Sequence, residues 1–410
     1  MSAVERYLQR VKMVWEGRDS NGLSVCFSFK NPTFKHEDFQ KNVEDYVIRR
    51  YLEHPIFELV SAHLKCVQSI QANNFNEAYL SQSTIVQGFI KMFQQCKEDN
   101  WLLPVVQTVS LNLRLVSNKV DNKALASSIQ DGNSGAKPRD ALETTTEMLM
   151  TCFRICTSDN RTSENDSKKW GMLPFVNQLF KVYFRISKLH LMKPLIRAIE
   201  SSQYKDKSSL SQQITYKYYV GRKAMFDSDY KTANEYLTFA FQRCHKSSKK
   251  NKRLILIYLV PVKMLLGFMP TRELLDKYDL LQLWDVTVAV KGGQINQLSD
   301  AMTKHQTFFI KCGIYLILEK LKMITYRNLF KKVYNIHKDI NKNSVVELQQ
   351  FLQALHYVEG KHIDLEDTHC LLCNLIHDGQ LKGYISLAHQ KVVLSKTDPF
   401  PKLSAIASAT

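Results

Sequence analysis

Thr215-Tyr-Lys-Tyr-Tyr-Val-Gly-Arg-Lys-Ala-Met-Phe-Asp-Ser-Asp-Tyr-Lys-Thr-Ala-Asn-Glu-Tyr-Leu-Thr-Phe-Ala240 decides how the rest of the chain is read. Small residues recur where two helices must touch: Gly221 and Ala224 before a turn, Ala233 and Ala240 after it. Tyr219, Phe226, Tyr230, Tyr236 and Leu237 supply bulk between them. Asp227-Ser228-Asp229 makes the turn, because short polar side chains compete there for backbone hydrogen bonds. A basic turn follows, and then the apolar run Leu254 to Pro261. One such helix pair cannot bury its own apolar face, so neighbours must stack on both sides of it.

The remaining chain can supply them. At 410 residues it accommodates two to three domains or one extended helical array. Apolar residues make up 44%, enough for a core, and only 14 Gly and 10 Pro favour long helices over a strand-and-turn fold. The formal charge is +17, with the larger share in the second half, which points to an acidic partner: nucleic acid, an acidic protein or an anionic surface. A generally basic soluble surface is the plain alternative. The nine cysteines are scattered singly, with no secretory or membrane-spanning apolar run, so a soluble intracellular chain with free thiols is expected.

Val4 to Trp15 reads as an amphipathic helix, followed by a polar loop with Gly17, Gly22 and Pro32. From His54 the helical period is steady, with Phe57, Val60, Leu64, Val67 and Ile70 on one face. Asn73-Asn74 breaks that helix, and Phe75-Asn-Glu-Ala78 echoes Tyr230-Lys-Thr-Ala233, as in repeats of the tetratricopeptide kind. Helices are expected over Pro104–Val116, Ala141–Cys156, Trp170–Lys188 and Leu191–Ile199, the last with Pro194 near its first turn. Ser117 to Asp140, with Asn118, Asp121, Asn122, Asp131-Gly132-Asn133-Ser134-Gly135 and Pro138, reads as a flexible loop. Short helices are expected around Leu274, Leu281 and Leu298, punctuated by Gly292-Gly293, and a long one from Thr303 to Lys322.

The ending differs. Tyr326–His337, Val345–Val358 and Leu365–His377 read as three helices, the third started by Asp364 and stopped by Asp378-Gly379. The period then switches to two: Leu381, Gly383 and Ile385 alternate with Lys382, Tyr384 and Ser386, and Val392 and Leu394 do likewise across a turn at Ala388-His389. Three helices and a β-hairpin make a winged helix. The expected fold class is therefore all-α: a curved, tetratricopeptide-like helical repeat array ending in a C-terminal winged helix with a small β-hairpin.

Helical repeats running into a C-terminal winged helix resemble the PCI family, shared by the proteasome lid, the signalosome and translation initiation factor three. Within it, the strings Lys168-Lys-Trp-Gly-Met-Leu, Asn177-Gln-Leu-Phe-Lys, Lys188-Leu-His-Leu, Tyr216-Lys-Tyr-Tyr-Val-Gly-Arg-Lys-Ala-Met-Phe-Asp-Ser-Asp, Asn251-Lys-Arg, Pro261-Val-Lys-Met-Leu-Leu-Gly and Tyr326-Arg-Asn-Leu-Phe-Lys-Lys-Val-Tyr are similar to a PCI subunit of the nuclear transcription-and-export complex. The resemblance runs from about His54 to Pro401 and is weak over the first fifty residues and through the 117–140 segment. It implies a non-enzymatic scaffold in the nucleus and at the nuclear pore, and possible presence in the cytoplasm. The implied partners are a large PCI-fold scaffold subunit, a small acidic disordered subunit, and single-stranded RNA held with weak sequence preference on paired winged helices. The corresponding division is residues 1–53, an N-terminal helix and loop; 54–205, N-terminal repeats; 206–322, the helical part of the PCI domain; 323–396, its winged helix; and 397–410, a tail.

The basic run of the winged helix carries the first candidate site: Lys320, Lys322, Arg327, Lys331, Lys332, Lys338 and Lys342, opposed only by Asp339. Arg327, Lys331 and Lys338 fall near one azimuth, whereas Leu329, Phe330, Val333 and Ile336 are assigned to the core. The wing adds Lys382, Lys391 and Lys396. Such a stripe neutralises phosphates without reading sequence; a solvated helix face is the alternative. Glu359, Asp364, Glu366, Asp367 and Asp378 sit on or near the third helix, where phosphates would be repelled, so RNA or single strands are expected rather than a DNA major groove. Tyr384 could stack a base or pack on its own domain.

A second candidate is the basic turn Lys246, Lys249, Lys250, Lys252 and Arg253, a nuclear-import signal or a charged loop. His369, Cys370, Cys373 and His377 lie inside a predicted helix without a second Cys pair, so the cysteines, like Cys152 and Cys156, are read as small core residues rather than metal ligands. No cofactor is expected. Gly292-Gly293 lacks the flanks of a phosphate loop, His36-Glu37 lacks a second histidine, and no nucleophile elbow exists, which argues against an enzyme. Two rivals stay open: a lid- or signalosome-type scaffold that never touches RNA, and a stand-alone nucleic-acid-binding regulator.

Overall fold

The structure, a computed structural model, describes residues 2–39, 43–96, 99–131, 140–161, 163–360 and 363–409. Two compact units are present, Met1–Tyr219 and Val220–Thr410.

The first unit is helical. Its first helix, α1 (Ala3–Glu16), starts with a capping box: the Ser2 hydroxyl accepts from the Glu5 N–H, and the Glu5 carboxylate accepts from the Ser2 N–H. The segment that follows, expected as a polar loop, instead carries α2 (Ser20–Cys26), two 3₁₀ turns and α3 (Asp45–Arg49). Phe27, Phe34 and Phe39 are buried along it, and the Phe27 ring stands edge-on to Phe89 at 5.0 Å. Irregular spacing hid these anchors, because helix periodicity needs more than two turns to register.

Next come α4 (Ile56–Gln71) and α5 (Phe75–Gln95), separated by Asn73 at φ +57° and capped by Asn74. The echo with the opening stretch is geometric. Ser228 sits at φ +64°, the Asp229 carboxylate accepts from the Thr232 N–H, and Ala78 and Ala233 are both fully buried. In each case one residue in the left-handed region turns the chain and the next caps the new helix.

The 117–140 reading is corrected. Helix α6 (Leu103–Asp131) runs through its first half; residues 132–139 lie outside the described residues. Two of the polar side chains there are buried and partnered rather than solvated. Ser117 is buried and accepts from the Thr145 hydroxyl at 3.1 Å, and the buried Asp121 carboxylate takes the Arg185 guanidinium at 2.6 Å. Composition alone reads such residues as loop formers. The unit continues through α7 (Asp140–Thr157), α8 (Met172–Arg185), α9 (Met192–Glu200) and α10 (Tyr204–Lys207).

Helix α11 (Leu210–Phe226) spans the boundary between the units. Within the second unit its end packs on α12 (Tyr230–Arg243), where Gly221 is the contact point: a Cβ there would lie 2.8 Å from Leu237 Cγ. Val220, Ala224 and Met225 are buried here, whereas Phe226, expected between the helices, is 43% exposed. The basic turn is also corrected. Helix α13 (Lys249–Leu265) begins inside it, leaving 244–248 as the link.

Then follow α14 (Arg272–Lys277), α15 (Gln282–Gly292) and α16 (Ile295–Lys304). The long helix expected over Thr303–Lys322 is broken into α17 (Gln306–Cys312) and α18 (Tyr315–Glu319), with Gly313 at φ +70° ending the first. Helix α19 (Leu321–Asn341) starts five residues before the expected Tyr326.

The winged helix comprises α19, β1 (Val345–Glu347), α20 (Leu348–Glu359), α21 (Leu365–His377), β2 (Gly383–Ser386) and β3 (Lys391–Leu394). Residues 345–347, expected as helix, form the third strand of a sheet ordered β1-β3-β2, both pairings antiparallel, with Val346 opposite Val392 and Ile385 opposite Val392. Two valines in succession favour a pleated edge over a helix start. Asp364 caps α21 in a box with Asp367, and Gly379 at φ +68° follows its end. Phe330, Phe351, Leu355, Leu372, Leu375 and Val392 form the fully buried centre of the core. Residues 397–410, set apart above as a tail, add Phe400 to that core, and α22 (Leu403–Ala409) follows.

Candidate nucleic-acid interface

Helix α19 has one face in the core and one in water, and its turn-by-turn burial sorts the basic residues. Lys331, Lys332 and Lys338 are exposed. Arg327 is not: it is 5% exposed. Its guanidinium donates to the carbonyls of Phe400 at 3.2 Å, Pro401 at 2.6 Å and Gln380 at 3.3 Å, and to Asn328 Oδ1 at 3.0 Å. Burial holds its pKa below the usual arginine value. Arg327 is therefore corrected from phosphate contact to structural clamp. Ile336, assigned to the core, is 61% exposed, as is Ile340 at 72%; His337 turns inward instead and bonds Asn343 Oδ1 at 2.7 Å. The azimuth error is one residue: position 337 rather than 336 continues the inward face that Tyr326, Phe330 and Tyr334 form at spacings of three and four.

Lys322 is exposed but engaged. Its ammonium is 3.2 Å from a Glu359 carboxylate oxygen, and the other oxygen accepts from the Tyr326 hydroxyl at 2.7 Å. Burial and this carboxylate push the Tyr326 phenol up. Lys332 donates to the Gly292 carbonyl at 2.7 Å, which leaves two of its three donors for an anion. Lys338 lies 6.0 Å from the Tyr334 ring.

On the wing, Lys382, Lys391 and Lys396 are exposed, and Lys391 stands opposite both Ser386 and Glu347 in the sheet. Tyr384 is 63% exposed beside them, a free aromatic face of the kind that stacks unpaired bases. The third helix carries exposed Asp364, Glu366 and Asp367 at its start, so its N-terminal end repels phosphate.

The second candidate set divides. Lys246, Lys249 and Lys250 are exposed. Lys252 is buried, donates to the Phe241 carbonyl at 2.9 Å and lies 4.5 Å from that ring's centre. Arg253 donates to the Asp279 carbonyl and pairs with its carboxylate at 3.7 Å. The five cations are not a contiguous accessible run. Cys370 and Cys373 are exposed, not packed in a core, and Cys373 Sγ lies 3.6 Å from His369 Nε2; among the described residues no group of three or more His, Cys, Asp or Glu can hold a metal. No helix among the described residues is long and apolar enough to cross a membrane.

Sequence reasoning missed Lys291 and Lys402, which the fold brings beside Lys331 and Lys332. They are forty or more positions away along the chain, and only the Gly292-Gly293 pair next to Lys291 marked a close approach.

A family model for the PCI domain matches residues 302–396. The chain is 50% identical to PCI domain-containing protein 2 of Xenopus laevis over 98% of both chains, and 50% identical to the Danio rerio protein of that name over 98% of this chain and 99% of the relative. It is 43% identical to the PCI domain-containing protein 2 homolog of Drosophila melanogaster over 98% of this chain and 99% of the relative.

Proposed function

Since the chain belongs to the family of PCI domain-containing protein 2 and is built as a PCI scaffold subunit, we propose that it serves in the nuclear-pore-associated transcription-and-export complex. There its winged helix forms part of a basic platform for mRNA. The observation that carries this reading is the exposed set Lys331, Lys332, Lys338, Lys382, Lys391 and Lys396 around a free Tyr384, on a domain whose third helix is acidic at its start. That combination suits backbone contact with a single strand and disfavours a DNA groove.

PCI proteins are components of multi-subunit complexes, and the proposed role is assembly rather than catalysis. The winged helix docks on that of a large PCI-fold scaffold subunit, and a small acidic, disordered subunit lies along basic repeat surface. The site of action is the nucleus, including the pore, reached through these partners.

Two measurements test the proposal. Tagged protein purified from nuclear extract at moderate salt should bring down a PCI-fold export scaffold and a small acidic subunit in stoichiometric amounts. Recovery of lid or signalosome subunits instead overturns the assignment to mRNA export. RNA affinity should fall steeply with salt, and Lys331→Glu with Lys332→Glu should flatten that dependence by about 1.4 in log–log slope, at about 0.7 per phosphate contact on a single strand. An unchanged slope removes these two lysines from the interface.

A further inference from the structure

The second unit contains a cleft of about 440 Å³ lined by Lys291, Lys331, Lys332 and Lys402, with Arg327 and Asn328 below them. No carboxylate lines it among the described residues. Four separate segments line it: residues 267–269, Lys291 next to the Gly292-Gly293 turn, α19, and residues 400–404. The Gly292-Gly293 turn lies directly on α19: at Gly293, φ +64°, a Cβ would meet the Leu329 amide nitrogen at 2.6 Å. Only glycine tolerates both that conformation and that approach. Asn328 Nδ2 donates to the Val290 carbonyl at 2.8 Å, and Lys332 donates to the Gly292 carbonyl, so Lys291 is held next to the α19 lysines. On the other side Arg327 holds the Phe400 and Pro401 carbonyls, which places Lys402 at the rim.

Among the described residues the four ammonium groups of this cleft have no carboxylate partner, while Asp398 acts on the Arg327 guanidinium beneath them. Lys291, Lys331 and Lys402 make no ion pair with a carboxylate among the described residues, and Lys332 is bound only to a neutral carbonyl. The buried guanidinium spends its donors on carbonyls and a side-chain amide, and the Asp398 carboxylate offsets part of its charge. Four ammonium groups converging on one recess repel one another, and an anion of high charge density is what relieves them. A volume of 440 Å³ is that of a small-molecule site.

We propose that this cleft binds a compact polyphosphate, a small molecule carrying several phosphates on adjacent carbons. Lys331 and Lys332 belong also to the proposed RNA face, but the inference rests on Lys291 and Lys402. Lys291 and Lys402 are outside the wing, and a recess lined by α15, α19, residues 267–269 and the C-terminal segment suits a discrete ligand better than a continuous strand.

The test uses the full chain and inositol hexakisphosphate as probe, followed by titration calorimetry at physiological salt. One equivalent should bind. Lys291→Gln with Lys402→Gln should weaken binding at least tenfold, while Lys382→Gln with Lys396→Gln, an equal change of charge on the wing, should weaken it less than twofold. Both pairs should melt as the wild type does, because all four side chains are exposed. Should the cleft pair instead lower the melting temperature, a Lys402→Gln single variant takes its place in the same titration. Non-saturating binding, or equal losses from the two pairs, overturns the proposal in favour of diffuse attraction to a basic protein. Displacement of the probe by a single-stranded RNA whose own affinity falls in step with the cleft variants also overturns it, by assigning the cleft to the RNA backbone.

Discussion

Arg327→Met separates two roles that the same residue could hold. The sequence places this side chain on a phosphate-binding stripe; the structure makes it the clamp that fastens residues 400–401 to α19. Methionine keeps most of the apolar stem and removes the guanidinium. Three backbone carbonyls, those of Gln380, Phe400 and Pro401, then lose a charged donor. A hydrogen bond to a charged group contributes about 1.5–3 kcal/mol, and an orphaned buried acceptor costs about 1–3 kcal/mol. These terms overlap, and methionine recovers some apolar burial, so the expected loss is about 3–5 kcal/mol. It should appear as a lower urea midpoint followed by circular dichroism, together with faster proteolysis after position 396. Affinity for RNA, measured where the variant is still folded, should change less than it does for Lys331→Glu. A wild-type midpoint combined with a severalfold loss of RNA affinity would refute the clamp and restore Arg327 to the binding face.

Three further perturbations check other parts of the fold. Gly221→Ala puts a Cβ at 2.8 Å from Leu237 Cγ on the facing helix, so overpacking should cost about 1–3 kcal/mol in chemical denaturation, and the same substitution should cost less in a Leu237→Ala background, where that contact is gone. Asp364→Ala removes the N-cap of α21 and its bond from the Asp367 N–H at 2.8 Å, which should cost about 1 kcal/mol by the same assay, with Asp364→Asn restoring most of the loss. His63 is fully buried among Phe27, Phe29 and Phe34, and burial lowers its pKa to about 3. The unfolded chain, with an ordinary histidine near 6.5, binds the proton more readily, so stability should fall as pH drops from about 6.5 towards 3, by on the order of 1.4 kcal/mol per pH unit. A denaturation midpoint measured at pH 7 and pH 5 should show this fall, and His63→Phe should remove that part of it.

How much of this fold was legible in the sequence follows from how each element announces itself. The α11–α12 turn and its echo at 73–78 were readable because small residues, a polar turn and a capping side chain coincide over a few positions, and each is a local effect. Helix α21 was readable to the residue for the same reason: Asp364 and Asp378-Gly379 punctuate it at both ends. What failed depended on partners distant along the chain. Ser117 and Asp121 are polar residues that stay in a helix because Thr145 and Arg185 satisfy them, and composition cannot show a partner 28 or 64 positions away. Val345–Glu347 became a strand because β3 was there to pair with it.

The basic face shows the same division more sharply, because there the physics runs against the composition. A row of cations on a helix is normally read as a solvated or ligand-binding stripe, and for Lys331, Lys332 and Lys338 exposure agrees. Arg327 belongs to the same row and is withdrawn from it by three carbonyls of residues 380, 400 and 401, all more than fifty positions away. A buried arginine is costly unless its donors are satisfied, and a chain segment with free carbonyls and no secondary structure of its own is costly for the complementary reason. Each resolves the other, and the arrangement also sets Lys402 beside the α19 lysines. The charge that periodicity assigned to the surface thus becomes the element that builds the cleft, while the charge that lines it comes in part from Lys291 and Lys402, which no period could have linked to α19.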